Sequence, residues 1–108
     1  MKRPIQVELN YSESGCPLFI PGDKAKLVIE VQESDIDPTG GTLLSQVELS
    51  GNKQGLIDLA SAILALAESP ESHHHLHLDD LYEGVVNSSQ GLWLTIIKLP
   101  DEKSDVEN

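Results

Sequence analysis

Aromatic side chains are scarce in this chain, at 4% of 108 residues, so its core must be built mainly from Leu, Ile, Val and Ala. Basic residues are also few. Seven Lys and Arg stand against eighteen Asp and Glu, a formal net charge of -11, and such a field repels nucleic-acid phosphates and anionic membranes while favouring cationic partners. The single cysteine, Cys16, excludes an intramolecular disulfide and fits a reducing compartment. No apolar run approaches the length of a membrane span, and Met1-Lys2-Arg3-Pro4 leads straight into a strand-like pattern instead of a signal-peptide core. A cytoplasmic location is the expectation. Gly40-Gly41 and the Gly51 to Gly55 stretch match neither the P-loop nor the dinucleotide fingerprint, so no phosphate cradle is predicted.

What is present suits one small domain. A hydrophobic content of 39% argues against global disorder, and 108 residues suffice for a single core. Ile5, Val7 and Leu9 alternate with Gln6, Glu8 and Asn10, the period of a half-buried strand. A turn-rich stretch with Leu18-Phe19-Ile20 in its middle follows. A second strand starts near Ala25 with Ala25, Leu27, Ile29 and Val31 on one face. A third spans Leu43 to Ser50 with Val47 and Leu49 on the buried side.

The one convincing helix runs from Asn52 to Ala67. Leu56, Leu59, Ala60, Ile63, Leu66 and Ala67 form its predicted apolar stripe, Asn52 is its N-cap, and Ser69-Pro70 stops it. Gly55 would weaken the first turn, which suggests close packing on the sheet. A fourth strand is predicted over His73 to Asp79, a polar loop from Asp80 to Gln90, and a fifth, central strand over Gly91 to Leu99 with Trp93, Thr95 and Ile97 opposing Leu92, Leu94 and Ile96. The expected fold is α+β: a mostly antiparallel sheet of about five strands, one amphipathic helix packed on one face, the other face open. Residues 1–99 form the domain and 100–108 an acidic, frayed tail.

Chemistry concentrates in Ser72 to Asp80, which holds all four histidines. On a strand, His74, Leu76 and Leu78 face the core, and His73, His75, His77 and Asp79 face out. Gln6, Glu8, Lys26, Glu30, Gln46, Glu48 and Trp93 are predicted to share that open face. Neighbouring imidazoles on one strand face lie about 7 Å apart along the backbone and can reach one zinc or copper ion. His73, His75, His77 and Asp79 are therefore an alternative ligand set, although no second motif completes it. Partner recognition ranks above metal, since imidazoles beside Trp93 supply hydrogen bonds, flat contact area and sensitivity to protonation near neutral pH. His75 or His77 as a base oriented by Asp79 would make a small hydrolase, the third reading. Asp35 to Gly40 begins like a calcium loop, but Gln46 stands where the bidentate Glu is required. Cys16 and Ser14 sit in a turn without an activating motif.

The segment Gly51-Asn52-Lys53-Gln54-Gly55-Leu56 through Leu64-Ala65-Leu66-Ala67-Glu68-Ser69-Pro70, with the His75 to Asp79 run after it, resembles the core of a bacterial immunity-protein family, number thirty-two among those of polymorphic toxin systems. Such proteins open a helix on Gly-Asn, end it at a Pro break and continue into a histidine-bearing strand. The resemblance implies a non-enzymatic cytoplasmic antidote, without cofactor, that binds a cognate toxin, with a basic nuclease as one candidate. On that reading Trp93, His75, His77, Asp79, Asp80 and Glu83 contact the toxin, and Glu33, Asp35 and Asp37 steer it from a loop.

Overall fold

The computed structural model describes residues 1–33, 45–71, 74–79, 82, 84–88 and 91–101. The elements run β1 (Leu27–Glu33), β2 (Ser45–Gly51), α1 (Lys53–Glu68), β3 (His75–Leu78), β4 (Val86–Ser88) and β5 (Leu94–Ile97). The class is α+β, as expected. Instead of one sheet there are two, ordered β2-β1-β4 and β3-β5. β1/β2 and β3/β5 are antiparallel, and β1/β4 is parallel.

Both sheets enclose a single core. Phe19, Leu27, Ile29, Leu59, Ala62, Leu66, Leu76, Leu78 and Val86 are buried together, with Tyr82, Leu92, Leu94 and Ile96 packed around them. Each fully buried Leu or Ile contributes about 1.5–3 kcal/mol of apolar transfer. The alternation in β3 has the expected sense, with Leu76 and Leu78 buried and His75 and His77 exposed.

Several expectations change. Ile5 to Leu9 is not a strand. It passes beside α1 instead, where the Ser61 hydroxyl donates to the Glu8 carbonyl and the Tyr11 hydroxyl donates to the Ala65 carbonyl at 3.0 Å. Its alternation thus serves a helix flank. The fifth strand is β4, three residues inside the stretch read as a loop, too short to show a period though Val86 is buried. β5 is not central, because β3 is its partner in a two-stranded sheet. Val47 and Leu49 share the face of β1 that carries the buried Ile29, yet they stay exposed, since β2 is an edge strand and one helix is too narrow to cover it. The helical stripe also divides: Leu59 and Leu66 enter the core, whereas Leu56, Ala60, Ile63 and Ala67 face away from it.

The helix start agrees with the sequence in detail. Asn52 is the N-cap, and its Oδ1 accepts from the amide of Gly55 at 2.8 Å. The same oxygen accepts from the Lys26 amide at 3.0 Å, while Nδ2 donates to the Lys24 carbonyl at 2.7 Å and the Asn52 amide to the Lys26 carbonyl at 3.1 Å. One side chain therefore caps α1 and pins it to the entry of β1. Gly55 sits directly beneath: a Cβ there would overlap the carbonyl oxygen of Lys26. Gly to Ala inside a helix ordinarily gains about 1 kcal/mol. Here we expect Gly55→Ala to lose at least about 2 kcal/mol through overpacking, and Asn52→Ala to lose about 2 kcal/mol as a cap with additional ties. Urea unfolding of both variants checks this; an alanine at 55 that stabilises the protein would contradict the close approach.

Candidate functional site

The outer face of the β3/β5 sheet collects the exposed side chains that the sequence singles out. Register pairs His75 with Ile97 and His77 with Thr95, so these four point the same way. Ile97 is 55% exposed, and Trp93, 47% exposed, lies just before β5 at the next position of the same alternation. The imidazoles of His75 and His77 meet edge to face, ring centres 4.5 Å apart at 78°. His77 Nδ1 and the Thr95 hydroxyl are 3.2 Å apart, which fixes one ring against the neighbouring strand. The result is a platform of two imidazoles, an indole, a hydroxyl and an isoleucine. Thr95 and Ile97 were not among the predicted site residues, although the alternation that placed Trp93 carries them too.

Other predicted residues fall elsewhere. Asp79 follows β3 at a bend and is half-buried. Glu33 ends β1, in the other sheet. Glu30 and Glu48, expected beside the histidines, are cross-strand partners in that sheet, and Gln46 lies next to them. Lys26 precedes β1 and donates through Nζ to the Gly84 carbonyl at 2.7 Å. Gln6 and Glu8 belong to the segment beside α1, where they line clefts against the helix. His73, Asp35, Asp37, Asp80 and Glu83 lie outside the described residues. Among the described residues no three His, Cys, Asp or Glu side chains gather as metal ligands.

His74 shares the inward sense of Leu76 and Leu78 but meets polar partners at the edge of the core. It is half-buried just before β3, with Nδ1 2.6 Å from the Ser69 hydroxyl and Nε2 3.1 Å from the Glu71 carboxylate. Ser69 in turn caps the helix: its amide donates to Leu66 O at 3.2 Å, and its carbonyl accepts from Lys98 Nζ. This Ser–His–Glu order imitates a hydrolase relay, but Ser69 is only 1% exposed. A substrate cannot reach its hydroxyl. The chain of hydrogen bonds instead locks the end of α1 to the start of β3 and, through Lys98, to the end of β5. That node sets which residues of the histidine run face outward.

A cleft of about 830 Å³ lies elsewhere, open between residues 5–9 and Leu64 and Glu68 of α1, and it holds no histidine or cysteine.

With this geometry in view, comparison with known proteins is informative. The family model for Immunity protein 32 matches residues 46–100, from β2 through the end of β5. The chain belongs to the Immunity protein 32 family. The match contains the Asn52 clamp, the Ser69 node and the whole β3/β5 face. Searches of curated proteins and of solved structures find no match.

Two tests follow. Ser69→Ala removes a buried hydroxyl that His74 uses and should cost about 1–3 kcal/mol in urea unfolding; an unchanged stability would remove the node from the account. Tyr82, packed against Phe19 at 4.8 Å, is held above the ordinary phenol value by burial first and by the Asp79 carboxylate second. Because the folded state retains a proton that the unfolded chain releases, this contribution is complete below pH ~10 and is lost as pH rises through the folded value. Wild type should lose stability above that pH more steeply than Tyr82→Phe. Equal alkaline slopes would contradict the buried phenol.

Proposed function

We propose that this protein is a non-enzymatic antidote that neutralises a cognate bacterial toxin in the cytoplasm by seating the β3/β5 face on it. The observation that carries this reading is a platform of His75, His77, Trp93, Thr95 and Ile97 inside the family-matched region of a chain with net charge -11. Interfaces place aromatic and apolar anchors at a dry centre and charge at the rim. None of these five residues is an acid, so the net negative charge of the chain steers a basic partner without a carboxylate among the anchors themselves. A basic nuclease is the toxin class that this charge suits best, because its substrate groove already binds a polyanion. Asp79, Asp80, Glu83, Glu33, Asp35 and Asp37 contribute their charge to the long-range field.

The test begins with the toxin encoded beside this gene. Co-expression should rescue cells from it, and the purified pair should bind. Trp93→Ala and His77→Ala should each weaken binding at least tenfold while leaving the thermal midpoint within about 2 °C, since both side chains are exposed. Failure to protect or to bind would end the antidote reading. Protection that survives both substitutions would keep the antidote but move its contact surface.

A further inference from the structure

The helix α1 carries apolar residues almost all round, which in a surface helix signals that more than one side is covered. At 3.6 residues per turn its circumference divides into three sectors. Gly55, Leu59, Ala62 and Leu66 face the core. Ile57, Asp58, Ser61, Leu64 and Glu68 border the segment of residues 5–10. Leu56, Ala60, Ile63 and Ala67 form the third sector, and all four are exposed, Leu56 by 46% and Ile63 by 38%. Leu56 lies against Gly51 of β2, so the stripe is continuous with Leu49 and the 65% exposed Val47, which share the helix-facing side of β2. No charged residue among the described residues interrupts this surface. A contiguous apolar patch of this kind marks an interaction site.

We infer that a second copy of this chain covers it, α1 packing antiparallel on α1 about a two-fold axis near residues 61 and 62. The stripe is self-complementary in that register: Leu56 falls opposite Ala67 of the other copy and Ile63 opposite its Ala60, so each large side chain meets a small one. Charge selects the same arrangement. Lys53, at one end of the helix, has no ion-pair partner among the described residues, and antiparallel packing brings it beside Glu68 and Glu71 at the far end of the second copy's helix. In a chain with net charge -11 most surfaces repel their own copy; this flank, free of carboxylates, does not. The second helix would also cover Leu49 and Val47, giving the β2-β1-β4 sheet the two helices it needs and explaining why one leaves them bare.

The experiment is sedimentation of the full, tag-free chain over a dilution series, and it is independent of any toxin. The expected species has twice the 11.8 kDa chain mass and dissociates on dilution. Ile63→Lys and Leu56→Glu should each raise the dimer dissociation constant at least tenfold while leaving unchanged the thermal midpoint measured at dilutions where the wild type is monomeric, whereas Ile57→Lys, on the neighbouring sector, should not raise the dissociation constant. Because a substitution can disturb the helix itself, oxidative trapping gives a second reading in a Cys16→Ser background. Ala60→Cys/Ile63→Cys should form interchain disulfides readily, and Ile57→Cys/Leu64→Cys should not. A monomer at every concentration, or equal trapping of the two pairs, would overturn the proposal. So would a monomer whose toxin neutralisation is lost in Ile63→Lys, since that assigns the flank to the toxin.

Discussion

The arrangement of every other element depends on the contact between the first turn of α1 and the chain entering β1. Asn52 uses Oδ1 twice, Nδ2 once and its own amide once, and three of these four bonds go to Lys24 and Lys26 rather than to the helix. Such a close approach needs the helix to present no Cβ at Gly55. Backbone donors that a helix start and a strand entry would each leave unpaired are thereby satisfied together. With its N-terminus fixed at the entry to β1, α1 contributes Leu59, Ala62 and Leu66 to the core shared with residues of both sheets.

The far end of the helix converts that placement into a choice of face. A strand slipped by one residue would send His75 and His77 inward and Leu76 and Leu78 out, losing several kcal/mol of burial and stranding two imidazoles. The slip is prevented twice, by apolar burial and by the bonds linking Ser69, His74, Glu71 and Lys98. His74 is thus a structural histidine beside two surface ones. The three described histidines, close in sequence, divide by environment.

What could be read from the sequence follows from how local each determinant is. The cap at Asn52, the stop at Ser69, the packing role of Gly55 and the inward sense of Leu76 and Leu78 all come from short-range chemistry, and each was legible. Partners across the fold were not. Ile5, Val7 and Leu9 alternate like a strand, but alternation states only that one side is dry, and a helix flank satisfies it as well as a sheet does. β4 is too short to carry a period. The split into two sheets depends on β1 accepting Val86 to Ser88 in parallel, a long-range pairing with no local signature. For the candidate site, the outward direction of His75, His77 and Trp93 was legible because β3 and β5 alternate cleanly. The inward sense of His74 was legible too, but its partner Ser69, on another element, was not.

Overall acidity and the site look contradictory until their ranges are compared. A charge of -11 acts through solvent over about 8 Å at physiological ionic strength, far enough to bias encounter and orientation. A carboxylate buried at the centre of an interface would instead demand a matched cation, and a poorly matched one would cost more than it contributed. A platform with no carboxylate among His75, His77, Trp93, Thr95 and Ile97 avoids that demand. On the proposed function, acids can then vary widely with little effect on the lifetime of the complex, because they govern arrival, while Trp93, His77 and Ile97 govern departure. The same logic separates the two apolar surfaces of the molecule. The platform offers hydrogen-bonding rings that can discriminate between partners, whereas the α1 flank offers only Leu, Ile, Val and Ala, a surface able to match shape and little else, as a copy of itself requires.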